Sequence, residues 1–221
     1  MSELFRTVLP LALGAAISPT VLTVSVLLLS SKQRPVARGI CYLLGFLTVL
    51  AGYTVLALTV FDSVQHQPSS SERAVSDAVD VVIGIVLLLM AIRAVVRRRN
   101  GDDGDTPKPP KQHSASLTAA FVTGIVMMLT NITSVVLYIP AMKDINHADV
   151  STSDKAIVVL VALLITSLPA LAPLTVRVVA PGPSVRLLTA LNQAISKHQH
   201  TIIVCVEVIF GIYLLAKGFG A

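Results

Sequence analysis

The sequence predicts an all-α polytopic membrane protein whose six transmembrane helices form a 3+3 inverted repeat, and three observations predict it. Of 221 residues, 54% are hydrophobic and 13% charged, with a mean hydropathy of +0.79. A soluble domain of this length could not hide so much apolar surface. Six nearly charge-free runs approach the ~20 residues that a helix needs to cross hydrocarbon. Finally, Asp80-Val81-Val82-Ile83-Gly84-Ile85 in one half matches Glu207-Val208-Ile209-Phe210-Gly211-Ile212 in the other. In each, an acid lies one turn before a glycine and leads an apolar run that ends in a base, Arg93 or Lys217. Each copy is the last of three spans in its half. An odd number of spans turns the second half upside down relative to the first, an architecture common among secondary transporters.

Span one covers 7–31. It far exceeds the apolar core of a signal peptide and no basic n-region precedes it, so it is expected to remain as a span. Pro19 removes one backbone hydrogen bond and frees carbonyls near Ala15 and Ala16. A broken helix and a kink healed by the Ser18 hydroxyl both fit. Span two, 39–61, opens behind the basic Arg38, as span five opens behind Lys155. Span three, roughly 76–92, is the weakest. Only 81–92 is free of charge, so Asp77 and Asp80 must enter the bilayer and Arg93 must snorkel. Ser70, Ser71 and Glu72 read as a helix start in water.

The stretch 97–114 mixes a triple arginine, Arg97 to Arg99, with Gly101, Gly104, Pro107, Pro109 and Pro110. That composition cannot bury a core. It is read as a flexible cytoplasmic linker between an N-terminal repeat, 1–96, and an inverted C-terminal repeat, 115–221.

Span four, 116–142, carries Thr130, Asn131, Thr133 and Ser134 near its centre. One polar residue there would serve as packing glue; four within five point to a substrate path. In span five, 156–176, Pro169 and Pro173 lie one turn apart and would bend the helix and free two carbonyls. Between 183 and 200, apolar residues recur at helical spacing among polar ones, which suggests a separate amphipathic helix on the inner membrane surface. Span six covers roughly 201–220. Glu207 lies roughly 10 Å from His200 and ~15 Å from Lys217 along its helix, and Asp80 ~20 Å from Arg93, so both acids sit in the bilayer. An ionised carboxylate there costs several kcal/mol unless paired or hydrated. Both acids are therefore candidates for the substrate path or for proton coupling, against the alternative of a protonated or salt-bridged structural carboxylate.

Lysine and arginine concentrate in the loops after spans one, three and five, which places those loops in the cytoplasm and both termini outside. The net charge of +5 is then a topology signal in a plasma-membrane protein, and nucleic-acid binding has no place in it. Cys41 and Cys205 lie inside spans and outside any Cys-x-x-Cys motif, so neither metal nor redox chemistry is supported, no cofactor is implied, and both read as buried free thiols.

Several short motifs carry a resemblance. They are Gly14, Ser18 and Pro19 in span one, the loop Lys32-Gln33-Arg34-Pro35 leading into Gly39 and Leu44-Gly45, the Pro-rich linker, and Thr123-Gly124 before Leu129-Thr130-Asn131. Together they resemble the glycopeptidolipid- and sulfolipid-addressing proteins of actinobacteria, within the lysine exporter superfamily. The resemblance implies export of a cell-envelope lipid or glycolipid, or assistance to it, and no enzymatic activity. The superfamily's Pro-Gly-Pro and Asn-Pro elements stand here only as Ser18-Pro19-Thr20 and Asn131-Ile132, a departure from the amino-acid exporters. A small-solute exporter for amino acids or cations and a non-transporting scaffold for envelope synthesis are the alternatives. The expected partners are the lipid substrate and membrane lipids, with a homo-oligomer or envelope-biosynthesis proteins compatible with the sequence.

Overall fold

In hydrocarbon every backbone N–H and C=O must find its partner within the protein, and runs of Leu, Val, Ile and Ala do so by becoming helices. A computed structural model describes residues 2–31, 33–65, 71–99, 116–180 and 184–219. It folds them into nine helices: α1 (Ser2–Ala16), α2 (Pro19–Leu29), α3 (Pro35–Gln65), α4 (Ser71–Arg99), α5 (Leu117–Thr130), α6 (Ile132–His147), α7 (Thr152–Thr166), α8 (Leu168–Val179) and α9 (Ser184–Gly218). The fold is all-α.

Within α3, α4 and α9, the segments Pro35–Phe61, Asp77–Arg97 and Lys197–Gly218 are each long and apolar enough to cross a bilayer alone. The other helices pass only as bent pairs: α1 with α2 at 55°, α5 with α6 at 71°, and α7 with α8 at 70°. Counting each pair as one span gives up to six, in the order of the six apolar runs. Leu44, Val55, Leu56, Leu89 and Ile209 are exposed around the outside, as a lipid-facing surface requires.

Each break has a local cause. Pro19 occupies the first turn of α2, where its missing N–H costs nothing, and Ser18 is extended and caps the Val21 N–H at 3.5 Å. Pro169 plays the same part in α8, after Ser167 closes α7 by donating to the Leu163 carbonyl at 3.0 Å. Between α5 and α6 no proline intervenes; Asn131 alone leaves helical geometry, with φ −83° and ψ 69°.

The structure corrects several sequence expectations. Span four does not stop at its last uncharged residue, because α6 runs on to His147 and carries Lys143 and Asp144 inside the protein. The amphipathic stretch before span six is no separate surface helix. It continues into that span as α9, since nothing between Lys197 and Thr201 breaks a helix and propagation needs only one residue per added bond. The first linker residues, 97–99, are the last of α4; Gly101 and the prolines of the linker lie outside the described residues, as does Ser70. Cys41 is half-buried and Cys205 exposed, so neither thiol is fully buried.

Helix α4 runs along α9 and α3 along α5, while α1 packs on α6 and α7, and α2 on α8 and α9. Glycines set the closest crossings. A Cβ on Gly84 would lie 2.9 Å from the Gly211 carbonyl oxygen, and one on Gly211 3.2 Å from that of Gly84. The two glycines that mark the matching segments therefore meet each other. A Cβ on Gly45 would overlap the Phe121 carbonyl, and one on Gly124 the Tyr42 carbonyl. Tyr42, Phe46, Met128, Leu137, Tyr138 and Met142 are fully buried in the core these crossings enclose.

Because backbone cannot yield as a side chain can, Gly45→Ala and Gly124→Ala should each lower stability by at least ~1–3 kcal/mol. Gly52, with open space around it, is the control: Gly52→Ala should be neutral or stabilising by up to ~1 kcal/mol. Thermal unfolding in detergent, followed by circular dichroism, reads all three.

Candidate functional site

A broken helix inside hydrocarbon strands polar groups, and here two breaks satisfy one another. The Ala15 carbonyl, freed at the end of α1, accepts from Ser134 Oγ at 2.6 Å, and Asn131 Nδ2 donates to Ser18 Oγ at 3.0 Å. The third break lies beside them. Ile17, Ser18 and Pro19 line a cavity of about 270 Å³ together with Leu168 and Pro169, and Ser25 Oγ donates to the Ala170 carbonyl at 3.3 Å. Pro173 is buried one turn further along α8.

Where α2, α5 and α6 splay from these breaks they leave, with α4 and α9, an open-mouthed cavity of about 510 Å³. Part of its lining is polar or charged: Thr20, Thr130, Asn131, Thr133, Glu207, Arg93 and Arg97. The rest is mostly apolar, with Val21, Met90, Met127, Ile132 and Ile203. Arg93 and Arg97 reach it because residues four apart share a helix face. The rim is tied by Gln199 Nε2, which donates to Thr20 Oγ1 at 3.3 Å, and by His200 Nε2, which lies 3.0 Å from the Ala94 carbonyl oxygen. Thr130 turns its hydroxyl back to the Val126 carbonyl at 2.8 Å.

Glu207 lines this cavity and is only 2% exposed. Thr133 Oγ1 donates to its Oε1 at 3.3 Å, while Oε2 is buried without a hydrogen-bond partner. Among the described residues it makes no ion pair. Asp80, the matching acid of α4, is equally buried and solves the same problem differently. Its Oδ2 lies 2.6 Å from Lys143 Nζ and 3.2 Å from Lys217 Nζ. Lys217 in turn holds both oxygens of Asp144 at 2.5 and 2.7 Å. Two acids and two bases from α4, α6 and α9 thus make a neutral cluster.

The polar residues expected from the sequence therefore divide. Thr130, Asn131, Thr133 and Glu207 line one cavity; Ser18 and Ser134 hold the breaks beside it; Pro19 and Pro169 shape those breaks; Asp80 stands apart in the ion cluster. Sequence reasoning missed Arg93 and Arg97 as cavity residues, having read them as a snorkelling end and a topology signal. Their spacing alone marked a common face. It also left Lys143 and Asp144 in a loop, although a buried Asp80 demanded a basic partner.

The model of a protein family described as Sap, sulfolipid-1-addressing protein, matches residues 8–220. No curated protein matches the chain, and no solved structure does.

The two acids should respond unequally to loss of charge. Removing one member of a buried ion pair strands its partner, at a cost of roughly 3–5 kcal/mol, so Asp80→Asn should strongly destabilise the protein. Glu207→Gln, which keeps the Thr133 contact and strands no base among the described residues, should change stability by under ~1 kcal/mol. Detergent melting curves of the two variants, compared side by side, check this.

Proposed function

Because the chain belongs to the sulfolipid-1-addressing protein family, we propose that it exports a cell-envelope lipid or glycolipid, or assists that export, by seating the head group in the cavity between its broken spans. The amphiphilic character of that cavity carries the reading. Arg93 and Arg97 suit an anionic head group such as a sulfate, to which guanidinium groups bind in a paired, charge-assisted geometry. Thr20, Asn131 and Thr133 suit sugar hydroxyls, and the methionine and isoleucine side chains of the same lining suit acyl chains. Glu207, with one oxygen unpartnered, is the residue able to take up and release a proton as cargo moves.

The architecture supports this reading. The meeting of Gly84 with Gly211, and of the two breaks at Ser18 and Asn131, is what residues 1–96 and 115–221 would produce as inverted copies of one unit. Loop charges put the arginine end of the cavity on the cytoplasmic side of the plasma membrane, with both chain termini outside. A small-solute exporter calls for a closed polar cavity, whereas this one is open and half apolar. An apolar groove of about 570 Å³, lined by Leu58, Ile145, Val159 and Leu160 among others, adds lipid-sized space. A scaffold without transport calls for no cavity.

Lipid profiling of the outer envelope, with and without the protein, tests the function. Loss of two charge-assisted contacts is worth about tenfold or more in affinity, so Arg93→Gln/Arg97→Gln should cut the exported lipid at least that far at unchanged protein level. Asn131→Leu should also abolish export, since it removes hydrogen bonding at similar bulk. Glu207→Gln should fold and bind lipid yet fail to export it against a gradient. Normal export by the double arginine variant would overturn the head-group assignment.

A further inference from the structure

The two ends of the bundle differ in a way that matching halves alone would not produce. At one end Glu207 faces an open cavity. At the other, the Asp80, Lys143, Lys217 and Asp144 cluster ties α4, α6 and α9 together. Beyond it Asp144 also lines a second cavity of about 430 Å³, shared with Glu3, Thr7, His147 and Asp149. Thr133 of the first cavity and Lys143 of the cluster lie on one helix, ~15 Å apart at 1.5 Å per residue. In the same three helices Leu87, Leu137 and Leu214 are fully buried in that interval. A line from the first cavity to the second therefore passes Glu207, an apolar plug and then the four charges.

We propose that the four-charge cluster is the closure of the translocation path at the end away from the arginine-lined cavity, and that the cavity beside Asp144 is the mouth beyond it. This rests on reading the first cavity as the cargo's path. Glu207 occupies the place in its segment that Asp80 occupies in the other, yet no described base pairs with it, so the same pair of helices is pinned at one end and open at the other. Asp80 and Lys143 are each 2% exposed, and Asp80 Oδ1 has no hydrogen-bond partner. A buried oxygen left unsatisfied calls for an explanation, and a cluster that comes apart supplies one, because water replaces the missing donor when it opens. The net charge of the cluster is zero, so parting it into water requires no counter-ion.

Cysteine accessibility in nanodiscs tests the closure without cargo and without any assumption about sidedness. The parent is Cys41→Ala/Cys205→Ala/Leu214→Cys, whose thiol lies one turn before Lys217, and a hydrophilic maleimide is the probe. The parent should label slowly. Adding Asp80→Asn/Lys143→Gln/Asp144→Asn/Lys217→Gln should speed labelling at least tenfold, while a thiol introduced by Ala162→Cys, buried in α7, stays protected in both backgrounds. Unchanged labelling in the neutralised protein overturns the proposal, and so does equal exposure at position 162, which would mean general loosening. Should the quadruple change prevent folding, Asp80→Asn/Lys143→Gln and Asp144→Asn/Lys217→Gln are labelled separately, and parent-like rates in both overturn it. A lipid profile indifferent to the protein would remove the function proposed above and leave the labelling result standing.

Discussion

The structure depends on one constraint: backbone exposed in hydrocarbon must be hydrogen-bonded by the protein itself, at several kcal/mol for each group left unmet. Spans one and four are both broken, and neither break stands by its own means. Ser134 answers the carbonyl that α1 releases at Ala15, and Asn131, the residue that breaks span four, answers Ser18, the residue that begins α2. The breaks and the packing of the two spans are therefore one feature. From it follow the bends of 55° and 71°, and from the bends follows the space between α2, α5 and α6 that becomes the cavity.

The same rule applied to charge has two solutions in this molecule. Asp80 is buried with bases from two other helices, so its ionised form is compensated electrostatically. Glu207 is buried with a threonine beside an open cavity and makes no ion pair among the described residues, so whatever enters can compensate it. One acid is met by the protein's own bases. The other leaves a demand that a ligand, a water molecule or a proton can meet.

Much of this was legible in the sequence, and the failures are instructive. The six apolar runs, the matching Asp80 and Glu207 segments, the carbonyl freed near Ala15 and the polar run at Thr130 to Ser134 all follow from composition and local chemistry. These signals survive because the bilayer imposes them one segment at a time. What failed was reading a charge as the end of a span. Lys143 and Asp144 looked like loop residues, and Arg93 and Arg97 like topology markers, because a single strand of text cannot show that other helices supply their partners. The continuity of α9 was missed for a related reason: an amphipathic face says where a helix lies only if something breaks it from its neighbour, and nothing between Lys197 and Thr201 does.

The three unbroken helices and the three jointed spans divide the molecule mechanically. Helix α9, at 35 residues, is about 50 Å long against ~30 Å of hydrocarbon, and neither it, α3 nor α4 contains a described interruption. They are struts. The joints of the other three spans, at Ser18, Asn131 and Ser167, gather around one place, where Pro19 and Pro169 line the same small cavity and Asn131 reaches Ser18. Bending among the described residues is thus confined to a single layer, with stiff rods passing through it. A load applied to the first residues of α9 would travel down an unjointed rod directly to Glu207.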